Sequence, residues 1–319
     1  MDFRPSSDQE ALQAGVRSFC AGRVPAEALP ELAKQGGFER ALWNELGSLG
    51  VFGLRMPESE GGVGLGCADA VLVFEELGRR LVPGPLVWSH LAAGLVPGVV
   101  SGEVVVGGLD ATDEPVLVEH LDALDVLLVL REDAVHRVDP RALEAQPLEL
   151  PLDPLTPLHH VVELPRGERI GGADGAELRR LGAALTAAEL LGIAVATQEL
   201  ATAYAKQREQ FGRPIGSFQA IKHILADMFV RQEVARAAVY AAGATLDDPG
   251  AGDVERTTSA AKLVAGEAAL RNARTCIQVH GGMGYTWEVP AHFYLKRSWV
   301  LASVFGTGEA HAARVAGRL

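Results

Sequence analysis

Two arginines bracket a stiff turn in the stretch Tyr204-Ala-Lys-Gln-Arg-Glu-Gln-Phe-Gly-Arg-Pro-Ile-Gly-Ser-Phe-Gln-Ala220. Arg208 and Arg213 carry permanently charged guanidinium forks, whose planar donors suit phosphate oxygens. Gly212, Pro214 and Gly216 lie in or beside the turn, where one helix is expected to end near Phe211 and another to begin near Phe218. The N–H groups of that new helix start would favour an anion on the same side. The same residues also suit a plain helix hairpin with solvated arginines. A second stretch, Gln278-Val-His-Gly-Gly-Met-Gly-Tyr285, places three glycines within four positions. Such backbone lets a ligand or another chain approach closely, and it also serves as an ordinary helix C-cap. A third stretch, Glu58-Ser-Glu-Gly-Gly-Val-Gly-Leu-Gly66, opens a helix carrying Phe74-Glu-Glu-Leu-Gly78.

The elements that must hold these stretches follow from apolar spacing. Residues 7–95 repeat apolar side chains every three or four positions, as in Leu42, Leu46 and Leu49, and then Val71, Phe74 and Leu77. Residues 99–165 carry short Val/Leu runs (Val104–Val106, Val116–Val118, Val126–Leu130) separated by Asp, Gly, Pro and Glu, which suits short strands. Pro147, Pro151, Pro154 and Pro157 make 147–157 extended, with His159-His160 read as loop histidines. From about 175 onward three long amphipathic stripes are broken at 212–216, 247–252 and 281–284, with shorter helices after Pro290 and Gly308. The expectation is an α+β, mostly α protein of three parts. These are an N-terminal helical domain over 1–97, a small β domain over 98–168 and a C-terminal four-helix bundle over 169–319.

Composition narrows the function classes. The chain has 319 residues, 48% apolar and 22% charged, within the ordinary globular range. With 29 basic and 41 acidic side chains the formal net charge is −12, which disfavours nucleic acid or an anionic membrane as partner. No apolar run reaches the roughly 18 residues of a membrane span, and the first ten residues are polar. Cys20, Cys67 and Cys276 form no CxxC pair, so a reducing, cytoplasmic setting is expected, with Cys276 as a small buried hydrophobe. No metal site is expected. Trp287 and Trp299 are read as core or interface aromatics, His223 as core-edge packing with pocket lining as the alternative, and the Glu177–Arg180 cluster as solvated.

Taken in order, five segments resemble the acyl-CoA dehydrogenase family. They are residues 46–65, Phe74–Gly78, Arg208–Gln219, Leu225–Met228 and Gln278–Tyr285. The resemblance spans residues 5–95 and 175–318. It implies a helical domain, a β domain and a helical bundle, with FAD bound across a subunit interface. In such enzymes the flavin ring lies in one subunit and the ADP half reaches into its neighbour. By position, the resemblance puts Arg208, Gln210, Phe211 and Gln219 on the ADP side. Gln278, Val279, His280, Gly281 and Gly282 would face it from the other side, and Thr307 is a further cofactor contact. The pocket that His223 would line in its alternative reading is this ADP pocket. The substrate it implies is an acyl-CoA thioester, from which an α-proton and a β-hydride are removed.

Three departures from the family pattern bear on mechanism. Removing a weakly acidic α-proton needs a carboxylate beside it. Most members supply the Glu of a Tyr-Glu-Gly-Thr motif, and here the frame reads Val304-Phe305-Gly306-Thr307, so the base position holds Phe305. The alternative position on the first bundle helix, about Arg179–Ala184, has no carboxylate, and Glu189 and Glu309 are out of register. The β region lacks the family's Thr-Glu-x-x-x-Gly-Ser-Asp loop and Trp-Ile-Thr-Asn strand; Gly107–Asp113 is a poor stand-in. The Arg-Asp pair preceding the base motif aligns with Lys296-Arg297. Residues serving a neighbour's FAD are kept, while those of an own flavin and base site are lost. The expectation is a subunit with no catalytic base of its own, paired with a second acyl-CoA dehydrogenase-like subunit in an α2β2 heterotetramer. Bacterial enzymes degrading steroids resemble this plan. Alone, the chain would form a homodimer. A homo-oligomeric dehydrogenase with another base, a flavin-free structural subunit and a flavin-dependent monooxygenase are the competing readings.

Overall fold

The computed structural model describes residues 5–110 and 115–318. Part of the Gly107–Asp113 segment therefore lies outside the described residues. Among the described residues ten α-helices and nine strands follow one another, and the chain divides into two compact units. One unit comprises residues 1–30, 71–82 and 183–319; the other comprises residues 31–70 and 83–182.

The first unit is helical. It contains α1 (Ser7–Arg23), most of α4 (Cys67–Arg79), most of α6 (Gly175–Gln207), α7 (Gln219–Asp247), α8 (Val254–His280), α9 (Ala291–Ser303) and α10 (Gly308–Ala316). A small hairpin, β8 (Glu209–Gln210) with β9 (Arg213–Pro214), joins α6 to α7. The segment Ala183–Ala196 of α6 is buried on every side, as a central bundle helix must be. By length and composition α6 is apolar enough to cross a membrane, which the sequence reading did not anticipate. Its most apolar stretch is 94% buried inside the protein, so that apolarity belongs to the core.

Glycine lets α4 and α6 touch backbone to backbone. A Cβ at Gly78 would overlap the backbone of Glu189, and one at Gly192 would overlap the carbonyl of Glu75. Polar side chains then lock the contact. Glu75 accepts from Tyr240 Oη at 2.8 Å, from Gln13 Nε2 at 3.3 Å and from Arg236. Arg17 grips Glu76 through two hydrogen bonds, at 2.8 and 3.1 Å. Each such bond contributes on the order of 1 kcal/mol net and leaves no buried carboxylate unsatisfied. Asn272 ties three bundle helices together. Its Nδ2 donates to Ala194 O at 3.1 Å and Met228 O at 3.0 Å, and its Oδ1 accepts from Arg231 at 2.9 Å.

The second unit carries α2 (Leu29–Lys34), α3 (Arg40–Ser48), α5 (Leu86–Leu91) and two small sheets. One sheet has the order β1 (Val106–Asp110), β3 (Val126–Arg131), β4 (Ala134–Val138), β7 (Glu168–Arg169), with β1 parallel to β3 and the other pairs antiparallel. The other has the order β2 (Val116–Glu119), β6 (Leu158–Val161), β5 (Ala145–Pro147). The run Val126–Leu130 is wholly buried, as a central strand requires. Gly108 admits the Trp88 ring, which any Cβ would strike. Two expectations are corrected here. His159 and His160 lie in strand β6, and buried His159 reaches Asp122 at 3.3 Å. Arg179 is not merely solvated: it holds Asp110 through two hydrogen bonds, at 2.6 and 2.9 Å, tying the start of α6 to β1.

Candidate functional site

The turn after α6 is built tighter than the sequence suggests. The helix ends at Gln207, four residues before Phe211, because β8 and β9 pair immediately afterwards. Phe211 (φ +54°) and Gly212 (φ +75°) form the two-residue turn between them, both left-handed. Glycine takes this conformation freely; phenylalanine does so at a cost of roughly 1–2 kcal/mol. Yet Phe211 is 92% exposed, so burial does not offset that cost. Its ring meets Phe218 edge-on at 6.1 Å, and Arg213 lies over the Phe218 ring at 4.1 Å. Arg208 and Gln210 are exposed, as is Gln219, the first residue of α7. No side chain caps that helix start, so its N–H groups and positive dipole end are available to an anion.

Buried His280 stacks on Tyr204 of α6 with ring centroids 4.2 Å apart, linking the end of α6 to the glycine loop. Its Nδ1 donates to Cys276 O at 2.8 Å, and burial holds it below its ordinary imidazole range. Val279 is also buried. These two side chains face the core, whereas Gln278, Gly281 and Gly282 are exposed. At Gly281 (φ +62°) and at Gly282 the space a Cβ would occupy is open. Guanidinium forks, an uncapped helix start and bare glycine backbone are the donor set a pyrophosphate requires, so these residues fit the ADP half of FAD.

The segment that the resemblance aligns with the family's base position lies in the turn between α9 and α10. Phe305 is 5% exposed, with φ +57°, and offers no proton acceptor in its side chain. His311 Nε2 donates to Phe305 O at 3.1 Å, and burial pushes the imidazole down to about 4, so it is neutral near pH 7. Thr307 is exposed and its hydroxyl caps α10 by accepting from Ala310 N at 3.3 Å. Glu309 is exposed in the first turn of α10, and Glu189 is buried in α6, where its backbone meets Gly78.

Sequence reading missed Lys262. It is 3% exposed and donates to Ala302 O and Gly306 O, each at 3.2 Å, on either side of Phe305. The signal was present: Lys262 falls in the small-residue stripe Ser259, Ala261, Ala265 and Ala269, where a solvated lysine has no place. Other expectations need correction. His223 is exposed rather than at the core edge, and the exposure of Trp287 and Trp299 removes only the core half of their core-or-interface reading. All three cysteines are free and buried, and no metal-ligand cluster occurs among the described residues.

Comparison with known proteins agrees with this architecture. Residues 6–101 match the N-terminal domain of acyl-CoA dehydrogenases, and residues 180–319 match the C-terminal domain. The acyl-CoA dehydrogenase IpdE2 of Mycobacterium tuberculosis is 32% identical over 92% of both chains. The acyl-CoA dehydrogenase FadE34 of the same organism is 34% identical over 94% of this chain, which spans about half, 46%, of that relative's length. The ChsE4–ChsE5 complex from Mycobacterium tuberculosis superposes with a TM-score of 0.83 and 25% identity, over 100% of this chain and 98% of that one. A steroid acyl-CoA dehydrogenase variant, Tcur3481–Tcur3483, shares the fold with a TM-score of 0.84 at 24% identity, over 97% of each chain. On these matches the chain belongs to the acyl-CoA dehydrogenase family, whose members are FAD-dependent oxidoreductases.

Proposed function

We propose that this chain is the base-lacking subunit of a heteromeric acyl-CoA dehydrogenase that introduces an α,β double bond into an acyl-CoA thioester in the cytoplasm. It supplies the ADP half of the FAD site to a partner subunit, which brings the catalytic Glu. One observation carries the reading: a buried Phe305 fills the base position, while Arg208, Gln219 and the bare Gly281–Gly282 backbone stand exposed.

The chemistry bound FAD would supply is acceptance of the hydride from the substrate β-carbon. This chain's own residues bind and orient. Arg208 places a fixed positive fork against the pyrophosphate, the uncapped start of α7 adds its dipole, and Gly281–Gly282 present backbone donors without side-chain obstruction. Gln210, Phe211, Gln219, Gln278 and Thr307 would line the nucleotide. Val279 and His280 would act from beneath, His280 holding the glycine loop through its stack on Tyr204. The proton acceptor belongs to the partner. A bulky, polycyclic acyl group of the steroid type is the substrate this reading favours. The reduced β region leaves room beside the partner, and a steroid acyl-CoA dehydrogenase variant shares the fold.

The test is expression of the chain alone and together with an acyl-CoA dehydrogenase-like partner encoded beside it. Flavin absorbance and acyl-CoA oxidation should appear only in the pair. Arg208→Ala should strip flavin from that pair, since a charge-assisted contact contributes roughly 1.5–3 kcal/mol. A yellow, active lone chain would overturn the proposal in favour of a homo-oligomer with another base.

A further inference from the structure

Among the described residues a cleft of this acidic protein gathers three arginines and a histidine beside Glu132 and Asp133. It lies in the sheet-bearing unit, between the β3–β4 turn and residues 164–169, with a volume of about 760 Å³. The strand register gathers its charges. Arg131 stands opposite Ala134, Ala134 and His136 are two apart on β4, and His136 stands opposite Arg169. Alternation along a strand therefore puts Arg131, His136 and Arg169 on one face. Arg166 joins them from the segment before β7. Arg131 is oriented by donating to Leu164 O at 3.4 Å and Pro165 O at 3.1 Å. Among the described residues none of the three arginines has an ion-pair partner.

His136 is the second, independent observation. It is 5% exposed, lines the cleft, and its Nδ1 has no hydrogen-bond partner. Burial, and then the charges of Arg131, Arg166 and Arg169, hold it below the ordinary imidazole range. A buried polar ring beneath three unneutralised guanidiniums is costly unless something negative completes the group. The acidic neighbours do not complete it. Exposed Glu132 and Asp133 also line the cleft, but neither forms an ion pair with these arginines: Asp133 acts on Arg179, and Glu168 stands opposite Arg137 on the other face.

We propose that this cleft is a phosphate-binding site built from Arg131, His136, Arg166 and Arg169. Two sources share that chemistry: the phosphate monoester of coenzyme A, which would deepen and rest on the reading above, and free inorganic phosphate. Titration calorimetry on the full chain, in phosphate-free buffer at low salt, uses coenzyme A, 3′-dephospho-coenzyme A and inorganic phosphate as probes. The doubly substituted Arg166→Gln/Arg169→Gln chain changes only exposed side chains. It should weaken binding of at least one phosphate probe tenfold or more, with an unchanged melting temperature. An advantage of coenzyme A over its dephospho form that vanishes in this variant assigns the coenzyme. Loss confined to inorganic phosphate assigns the free ion and still supports the site. The His136 imidazole resonance, assigned through His136→Gln, should move on titration. Equal binding by wild type and the double variant overturns the proposal. So does an equal loss in Arg137→Gln, which removes a positive charge from the opposite face of β4. Flavin content of the co-expressed pair tests the functional reading separately, so either can fail alone.

Discussion

Lys262 Nζ donates a hydrogen bond to the carbonyl oxygen of Gly306 at 3.2 Å, from a helix 44 residues earlier in the chain. Together with its bond to Ala302 O, this pins the turn that carries Phe305. The ammonium is almost fully buried, and burial pushes its pKa from 10.5 down to about 7. The sign of the linkage follows. Between about pH 7 and 10.5 the unfolded chain holds a proton the native one has lost, so stability rises with pH in that window. Below it the cost of the buried charge is fully present. Denaturant midpoints at pH 6, 8 and 9.5 should show wild type gaining on Lys262→Met as pH rises. Parallel profiles would mean that the two carbonyls keep Lys262 charged throughout.

On the proposed half-site, Phe211 would set local stability against binding. Its left-handed backbone and 92% exposure serve folding poorly, and the turn it shares with Gly212 is the type that favours Asn-Gly. Phe211→Asn should stabilise the isolated chain by up to about 1 kcal/mol, read from urea unfolding. The same change should lower the flavin content of the pair. A less stable variant would show that the edge-on contact with Phe218 outweighs the backbone strain.

Local chemistry was legible in the sequence and distant pairing was not. The breaks at 212–216, 247–252 and 281–284 punctuate the long helices because glycine, proline and aspartate act within a few residues. The buried run Val126–Leu130 became a central strand for the same local reason. Helix α6 stopped short of Phe211 because a two-residue hairpin competed for that backbone, an outcome decided by the partner segment Arg213–Pro214. Arg179 read as solvated because Asp110, its partner, lies 69 residues away. Lys262 likewise gained its role only once α9 and its turn were folded against α8. At the base position, by contrast, one residue type sufficed: no rearrangement gives Phe305 a proton acceptor.

The crossing of α4 and α6 makes a prediction with two signs. A methyl at Gly192 would collide with the carbonyl of Glu75, which is main chain and cannot swing aside. Gly192→Ala should therefore cost about 3 kcal/mol or more, or prevent soluble expression. Gly15 in α1 has nothing within reach of an added Cβ. Gly15→Ala should instead stabilise by about 0.5–1 kcal/mol through helix propensity. Thermal unfolding of the two variants side by side checks both signs.

Restoring a carboxylate at the base position separates the half-site reading from its rivals. Phe305→Glu places the acid in the family's frame, but the side chain there is buried and its turn is pinned by Lys262 and His311. Burying an unpaired carboxylate costs at least about 2 kcal/mol, so a lower melting temperature is expected. The chain alone should remain colourless and unable to oxidise acyl-CoA, because the half-site proposal puts the flavin ring in the partner. In the co-expressed pair the flavin content should stay as in wild type, since the ADP-side residues are untouched. A lone Phe305→Glu protein that bound flavin and turned over acyl-CoA would place a complete ring pocket in this subunit, and the two-subunit assignment would fall.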